Sequence, residues 1–170
     1  IIDISIIEEV SPVNETLPSN EVKITMDNSG GQFDFLNFQN MAEILANKPI
    51  MKFEFGLVLP DLTTEWVPMG KYYLNSWENN RSTKTISLIG RDTFGLLNEL
   101  YYTNTSKANL YTLAEDVFAQ AGITSYSIHN SLSAILTNGF TEKVGSKIAL
   151  QHIAVAASCV VYQDRLGIVH

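Results

Sequence analysis

Residues 70–92 read GKYYLNSWENNRSTKTISLIGRD. Two runs rich in aromatic and β-branched residues flank a polar turn at residues 78–82. Such side chains suit a pleated, half-buried surface. Alternating apolar runs joined by a short polar turn read as a β-hairpin. Upstream, in EVKITMD, Val22, Ile24 and Met26 face one way while Glu21, Lys23 and Thr25 face the other. The run IMKFEFGLVL sets Met51, Phe53, Phe55 and Leu57 against Ile50, Lys52, Glu54 and Gly56. Between these runs, Phe38, Met41, Ile44 and Leu45 fall on one helical face, and Pro49 stops the helix. RDTFGLLNEL, residues 91–100, reads as a turn of helix closing the strand run. This pattern predicts a small, mostly antiparallel β-barrel or strongly curled sheet over residues 1–100. Closing the sheet removes edges that otherwise recruit other strands.

Residues 101–170 change character, and the spacing predicts a smaller helix–strand domain, an α+β chain overall. Leu110, Leu113, Ala114, Val117, Phe118 and Ala121 lie at helical spacing. Asn109 is placed to cap this helix, with Thr112 and Glu115 as a competing capping box. Gly122 stands where a left-handed C-cap belongs, and ITSYSI reads as a strand. A second unit repeats the plan: Ser146 as cap, Leu150, Ile153, Ala154 and Ala157 as the apolar stripe, and CVVYQ as the strand. Aligning Ala121 with Ala157 places Val117 on Ile153 and Ala114 on Leu150. QDRLG then reads as a polar turn, and IVH as the start of a returning strand. The chain opens inside a strand-like run and closes in the first half of a hairpin, so both ends read as cuts in a longer protein.

The search for chemistry yields no catalytic, cofactor-binding or metal-ligating set. The three histidines, His129, His152 and His170, have no ligand spacing, and a single cysteine, Cys159, sits in an apolar run. Glu8 and Glu9 are adjacent on a strand and point to opposite faces. Glu115 and Asp116 are read as charges in the first turns of a helix, where the dipole favours them. No nucleophile elbow, phosphate loop or dinucleotide fingerprint occurs. Asn28–Gln32 is glycine-rich but lacks the Lys-Ser/Thr of a phosphate loop. Trp66, Trp77, Tyr72 and Tyr73 could stack on a sugar, and Trp77 and Tyr73, four apart on one strand, would share a face as a carbohydrate platform; core or interface packing is the commoner role for such aromatics.

The formal net charge is −7, with 11 Lys and Arg among 170 residues. That balance argues against nucleic-acid binding, which needs clustered cations, and against an anionic membrane surface. No apolar run is long enough for a membrane-spanning helix.

The order of features carries a resemblance. SIIEEVSPVNETLPSNEVKITMDN, KPIMKFEFGL and WVPMGKYYLNSWENNRSTKTISLIGRDTFGLLNE resemble the start of tail hub proteins of phages and prophages. ALQHIAVAASCVVYQDRLGIV resembles their later helix–strand–turn, with Ser158 where glycine is common. The resemblance covers essentially the whole chain. It implies a tube-type β-barrel over residues 1–100 and part of an inserted domain over 101–170. It also implies a structural, non-enzymatic role in a tail tip or baseplate hub, as a homo-oligomeric ring, a trimer in the full-length protein. The implied partners are other tail proteins (tube and spike), with no sequence-specific nucleic-acid binding and no membrane insertion. The implied location is the virion, after synthesis in the bacterial cytoplasm. Exposed aromatics such as Tyr72 or Tyr101 are the expected interface residues. A carbohydrate- or receptor-binding tail module is the alternative.

Overall fold

The computed structural model describes residues 1–10, 16–33, 47–97 and 100–170. Most of the helix expected before Pro49, with Phe38, Met41, Ile44 and Leu45, lies outside the described residues. The chain divides into two units, one of Ile1–Glu8 with Asn20–Asp92 and one of Glu9–Ser19 with Thr93–His170.

The first unit is a sheet of five antiparallel strands: β1 (Asp3–Ile7), β2 (Glu21–Asp27), β3 (Ile50–Val58), β4 (Thr64–Asn80) and β5 (Thr85–Arg91). Their order is β1-β2-β5-β4-β3. The alternation read from the sequence sets its inner face. Val22 and Ile24 are buried, paired across from Gly90 and Leu88 on β5 and from Ile6 and Ile4 on β1. Tyr72 joins them, its ring 5.9 Å from that of Phe53. Gly90 lets this core pack closely, against the methyl of Met51 among others. A Cβ there would stand 3.0 Å from Val22 Cγ1 and 3.1 Å from Tyr72 Cβ.

The expected closed barrel is not formed; the sheet is a curled half-barrel. Closure needs the edge strands to pair, and among the described residues β1 and β3 each have a neighbour on one side only. The reason lies in β4. Strand β3 pairs with its first half, from Thr64 to Tyr73, and β5 with its second half, from Tyr73 to Asn80. The two flanking strands therefore hardly overlap, and β3 runs off the end of the sheet instead of curling back to β1. Two register shifts bend β4, one opposite Phe53/Glu54 and one between Leu74 and Ser76. Such bulges add curl and twist without closing a sheet.

The second unit holds a short helix α1 (Thr93–Leu96), two two-stranded ladders and two longer helices. Strand β6 (Tyr101–Asn104) pairs with β9 (Phe140–Gly145), and β7 (Ala108–Asn109) with β8 (Leu136–Thr137). Helix α2 (Leu110–Gln120) is capped as expected: Asn109 Oδ1 accepts the Thr112 N–H at 2.8 Å. Gly122 takes the left-handed conformation past its end, with φ 70°. Helix α3 (Ser146–Ala157) is capped by Gly145, not Ser146, and no side chain closes its first turn. Ser146 is instead buried. The stripes of both helices enter one core, with Ala114, Val117, Leu150 and Ile153 all buried beside Tyr102 and Val169.

The strands expected at ITSYSI and CVVYQ are reduced to isolated bridges, Tyr126 with Val169 and Gln163 with Val169. Too few consecutive residues find a backbone partner there to build a ladder. Glu115 and Asp116 are mid-helix, not in the first turn. Asp116 accepts from Tyr102 Oη at 2.8 Å and Asn104 Nδ2 at 3.0 Å. Its role is to satisfy a buried tyrosine, not to complement the helix dipole.

Candidate assembly surface

An exposed apolar feature of the first unit grows out of the β3–β4 pairing. The inner-face row of β3, Met51 and Phe53, continues as Phe55 and Leu57. These two lie beyond the last residue of β4 that β5 reaches. The distal parts of β3 and β4 thus form a two-stranded ribbon with no third strand among the described residues. Directly paired residues share a face, so Phe55 with Val67 and Leu57 with Glu65 form one side. Trp66 with Gly56 and Val58 with Thr64 form the other.

Both sides are exposed: Phe55 is 56%, Leu57 60% and Trp66 61% accessible. Gly56 allows the Trp66 ring to lie flat across the ribbon, because a Cβ there would come within 2.9 Å of the indole. At the tip, Leu62 is 85% exposed and left-handed, with φ 67°. The turn is fixed by Asp61, whose carboxylate accepts from the Thr63 hydroxyl and backbone N–H at 2.6 and 3.0 Å. These bonds hold the Asp61 carboxyl below its ordinary range, the hydroxyl contributing most. The ribbon is therefore a defined element with a closed turn, carrying exposed apolar side chains on both faces and at its tip.

Sequence reasoning placed the relevant aromatics only in part. Tyr72 is 2% exposed and is a core residue, its ring lying over Gly70. Tyr101, in the second unit, is exposed as expected, with Lys143 Nζ 4.7 Å above its ring. Trp66, the most exposed aromatic of the ribbon, was not singled out as an interface residue. The signal was present in the sequence: Phe55, Leu57, Trp66 and Val67 bracket a short turn.

The carbohydrate platform is not formed. The bulge between Leu74 and Ser76 gives β4 one extra residue. Tyr73 then pairs with Arg91, and Trp77 with Leu88, three positions apart on an unbroken β5. A one-residue slip exchanges faces, so Tyr73 and Trp77 project from opposite sides of the sheet.

The three histidines are separated in role. His152 is exposed and stacked on Phe140, 6.2 Å between centroids. His129 caps the 3-10 helix Asn130–Ala134, and His170 bonds Asp164. Burial raises the Cys159 thiol above its ordinary range, opposite to the direction that makes a thiol nucleophilic. Among the described residues, no group of three or more His, Cys, Asp or Glu is placed to hold a metal ion. No described helix is long and apolar enough to cross a membrane.

No family model matches the chain. No curated protein matches it either. Among solved structures, the chain is similar to the 43 kDa tail protein of prophage MuSo2 from Shewanella oneidensis. The TM-score is 0.47 and the identity 13%, with 98% of this chain and 49% of that one covered. The chain thus spans about half the length of that protein.

Proposed function

We propose that the chain is a structural component of a phage or prophage tail, located at the tail tip or baseplate hub. In this reading it belongs to a ring-shaped homo-oligomer, a trimer in the full-length protein, joining the tail tube to the distal spike or fibre apparatus. It performs no catalysis. The observation that carries the reading is the β3–β4 ribbon, which exposes Phe55 and Leu57 on one face and Trp66 and Val58 on the other, on a sheet whose two edges are unpaired among the described residues.

A monomeric protein avoids such features, because open edges and apolar patches recruit other chains. A contact that joins edge β1 of one copy to edge β3 of the next would be head-to-tail. Head-to-tail contacts close into rings when the rotation permits. The order of sequence features shared with tail hub proteins points the same way. Immunogold labelling of purified tails tests the location. Label at the tail tip is expected; tails free of label, with the protein left in solution, would overturn the proposal.

The alternative, a carbohydrate- or receptor-binding tail module, loses its platform with the separation of Tyr73 and Trp77. Glycan-array binding abolished by Trp77→Ala would restore it.

A further inference from the structure

The link between β8 and β9 is the dipeptide Asn138–Gly139, the one Asn-Gly pair in the sequence. Asparagine is among the chemically labile residues. Its side-chain amide carbon can be attacked by the next residue's backbone nitrogen, and a glycine there leaves that nitrogen unshielded. The fold requires the glycine. Gly139 has φ 75°, a conformation that suits a residue without a Cβ. A Cβ there would overlap Asn104 O and stand 2.7 Å from Ser106 O, both backbone atoms that cannot swing aside.

The surroundings leave both reacting groups available. Asn138 is exposed, so water and hydroxide reach it. Among the described residues neither the Asn138 amide nor the Gly139 N–H has a hydrogen-bond partner. The pair also stands outside both ladders. The β7–β8 pairing ends at Thr137 with Ala108, and the β6–β9 pairing begins at Phe140 with Asn104. Ring closure at this link therefore breaks no ladder bond. Other asparagines are held differently. Asn28 is buried, with Oδ1 accepting the Phe33 N–H at 2.9 Å. Asn104 donates from Nδ2 to Asp116 at 3.0 Å and accepts the Ser106 N–H at 2.9 Å.

We propose that Asn138 is a self-modification site, converting through a cyclic imide to aspartate and isoaspartate. The Gly139 nitrogen gives its proton to water or hydroxide and bonds to Asn138 Cγ. The Cγ–Nδ2 bond breaks, and the departing nitrogen takes up a proton and leaves as ammonia. Water then opens the ring. Attack at Cγ gives aspartate with the ordinary main chain. Attack at the Asn138 backbone carbonyl carbon gives isoaspartate, whose main chain is longer by one methylene between β8 and β9. Either product takes the formal net charge from −7 to −8. The proposal uses the second unit alone and does not depend on the tail reading.

The test incubates the folded 170-residue chain in mildly alkaline buffer. Ion exchange follows the charge, peptide mapping by mass spectrometry locates the change, and enzymatic methylation detects isoaspartate. The expected result is an acidic species shifted by one charge, with the conversion in the peptide that holds Asn138 and isoaspartate present in it. The rate should rise with pH, because the attacking nitrogen must lose its proton. Asn138→Gln, whose longer side chain must close a larger ring, should lose the acidic species while keeping the wild-type circular dichroism. Asn138 left intact while other asparagines convert would overturn the proposal. Conversion that occurs only in denaturant would overturn it too, since the folded link would then shield the site. So would a glutamine variant that gives the same species at the same rate.

Discussion

Ser158→Gly should stabilise this protein, and the effect can be worked from the backbone. Ser158 ends helix α3 in the left-handed conformation, with φ 51° and ψ 43°. The Cys159 N–H reaches back to Ala154 O at 3.0 Å, and the Ser158 N–H to Val155 O at 3.1 Å. This closure satisfies the last carbonyls and demands a residue in that conformation. A side chain there costs roughly 1–2 kcal/mol. Glycine removes that cost but gains freedom in the unfolded chain, which returns roughly 0.4–1 kcal/mol. The side chain itself contributes little: Ser158 is exposed, and its hydroxyl has no partner among the described residues.

The net gain is about 0.5–1 kcal/mol. For a chain of this size it raises Tm by about 1–4 °C. Differential scanning calorimetry of Ser158→Gly and Ser158→Val measures it. The valine variant should melt below wild type, because a β-branched residue is an outlier in that region. If glycine leaves Tm unchanged and valine is tolerated equally, the helix end is not strained and the reasoning fails.

Three other outcomes follow from the cores and the titrating groups. Gly90→Val should cost about 1–3 kcal/mol by overpacking, since Val22 and the Tyr72 Cβ leave no room; chemical denaturation reads it directly. Asp116→Ala should cost about 1–2 kcal/mol by removing the carboxylate that accepts from both the buried Tyr102 hydroxyl and Asn104 Nδ2. Tyr102→Phe in the same background should recover part of that loss. Burial alone would raise the Asp164 carboxyl. The Ile168 N–H, the His170 ring and the Leu166 N–H outweigh it and hold the group below its ordinary value of 3.8. A lowered carboxyl contributes stability that is present above the unfolded value and lost as pH falls through the folded one. Asp164→Asn should therefore flatten the acid limb of the stability profile below about pH 4, and an unchanged limb would count against this.

Much of the fold was legible because local patterns and tertiary environment agree. The alternation in β2 and the hairpin of β4 and β5 follow from period-two burial. Helix α2 follows from its stripe, its Asn109 cap and Gly122. What could not be read turns on single residues without a signal of their own. Asn75 has no property that marks it as the bulge, yet it places Tyr73 and Trp77 on opposite faces. Tyr72 and Trp66 are both aromatic residues in one strand. Burial separates them, and burial depends on where β5 stops covering β4. Barrel closure failed for the same reason: strand content was read correctly, while the offset of β3 against β5 is a long-range register that no local run encodes. Ser146 was placed one residue inside the helix it was expected to cap. Of the candidate surface, Phe55 and Leu57 were visible as a sheet face, but not as a face left open.

The measurement that tests the central claim most directly is the solution mass of the full-length parent protein by light scattering over a range of concentrations. It is compared with a Leu57→Lys/Trp66→Lys variant. Burying each of these side chains is worth about 1.5–3 kcal/mol before the costs of association, so losing both should dismantle an interface built on the ribbon. The account predicts a trimer for the wild type and a folded monomer, with unchanged circular dichroism, for the variant. A wild-type monomer at every concentration would contradict it, as would a trimer that survives both substitutions.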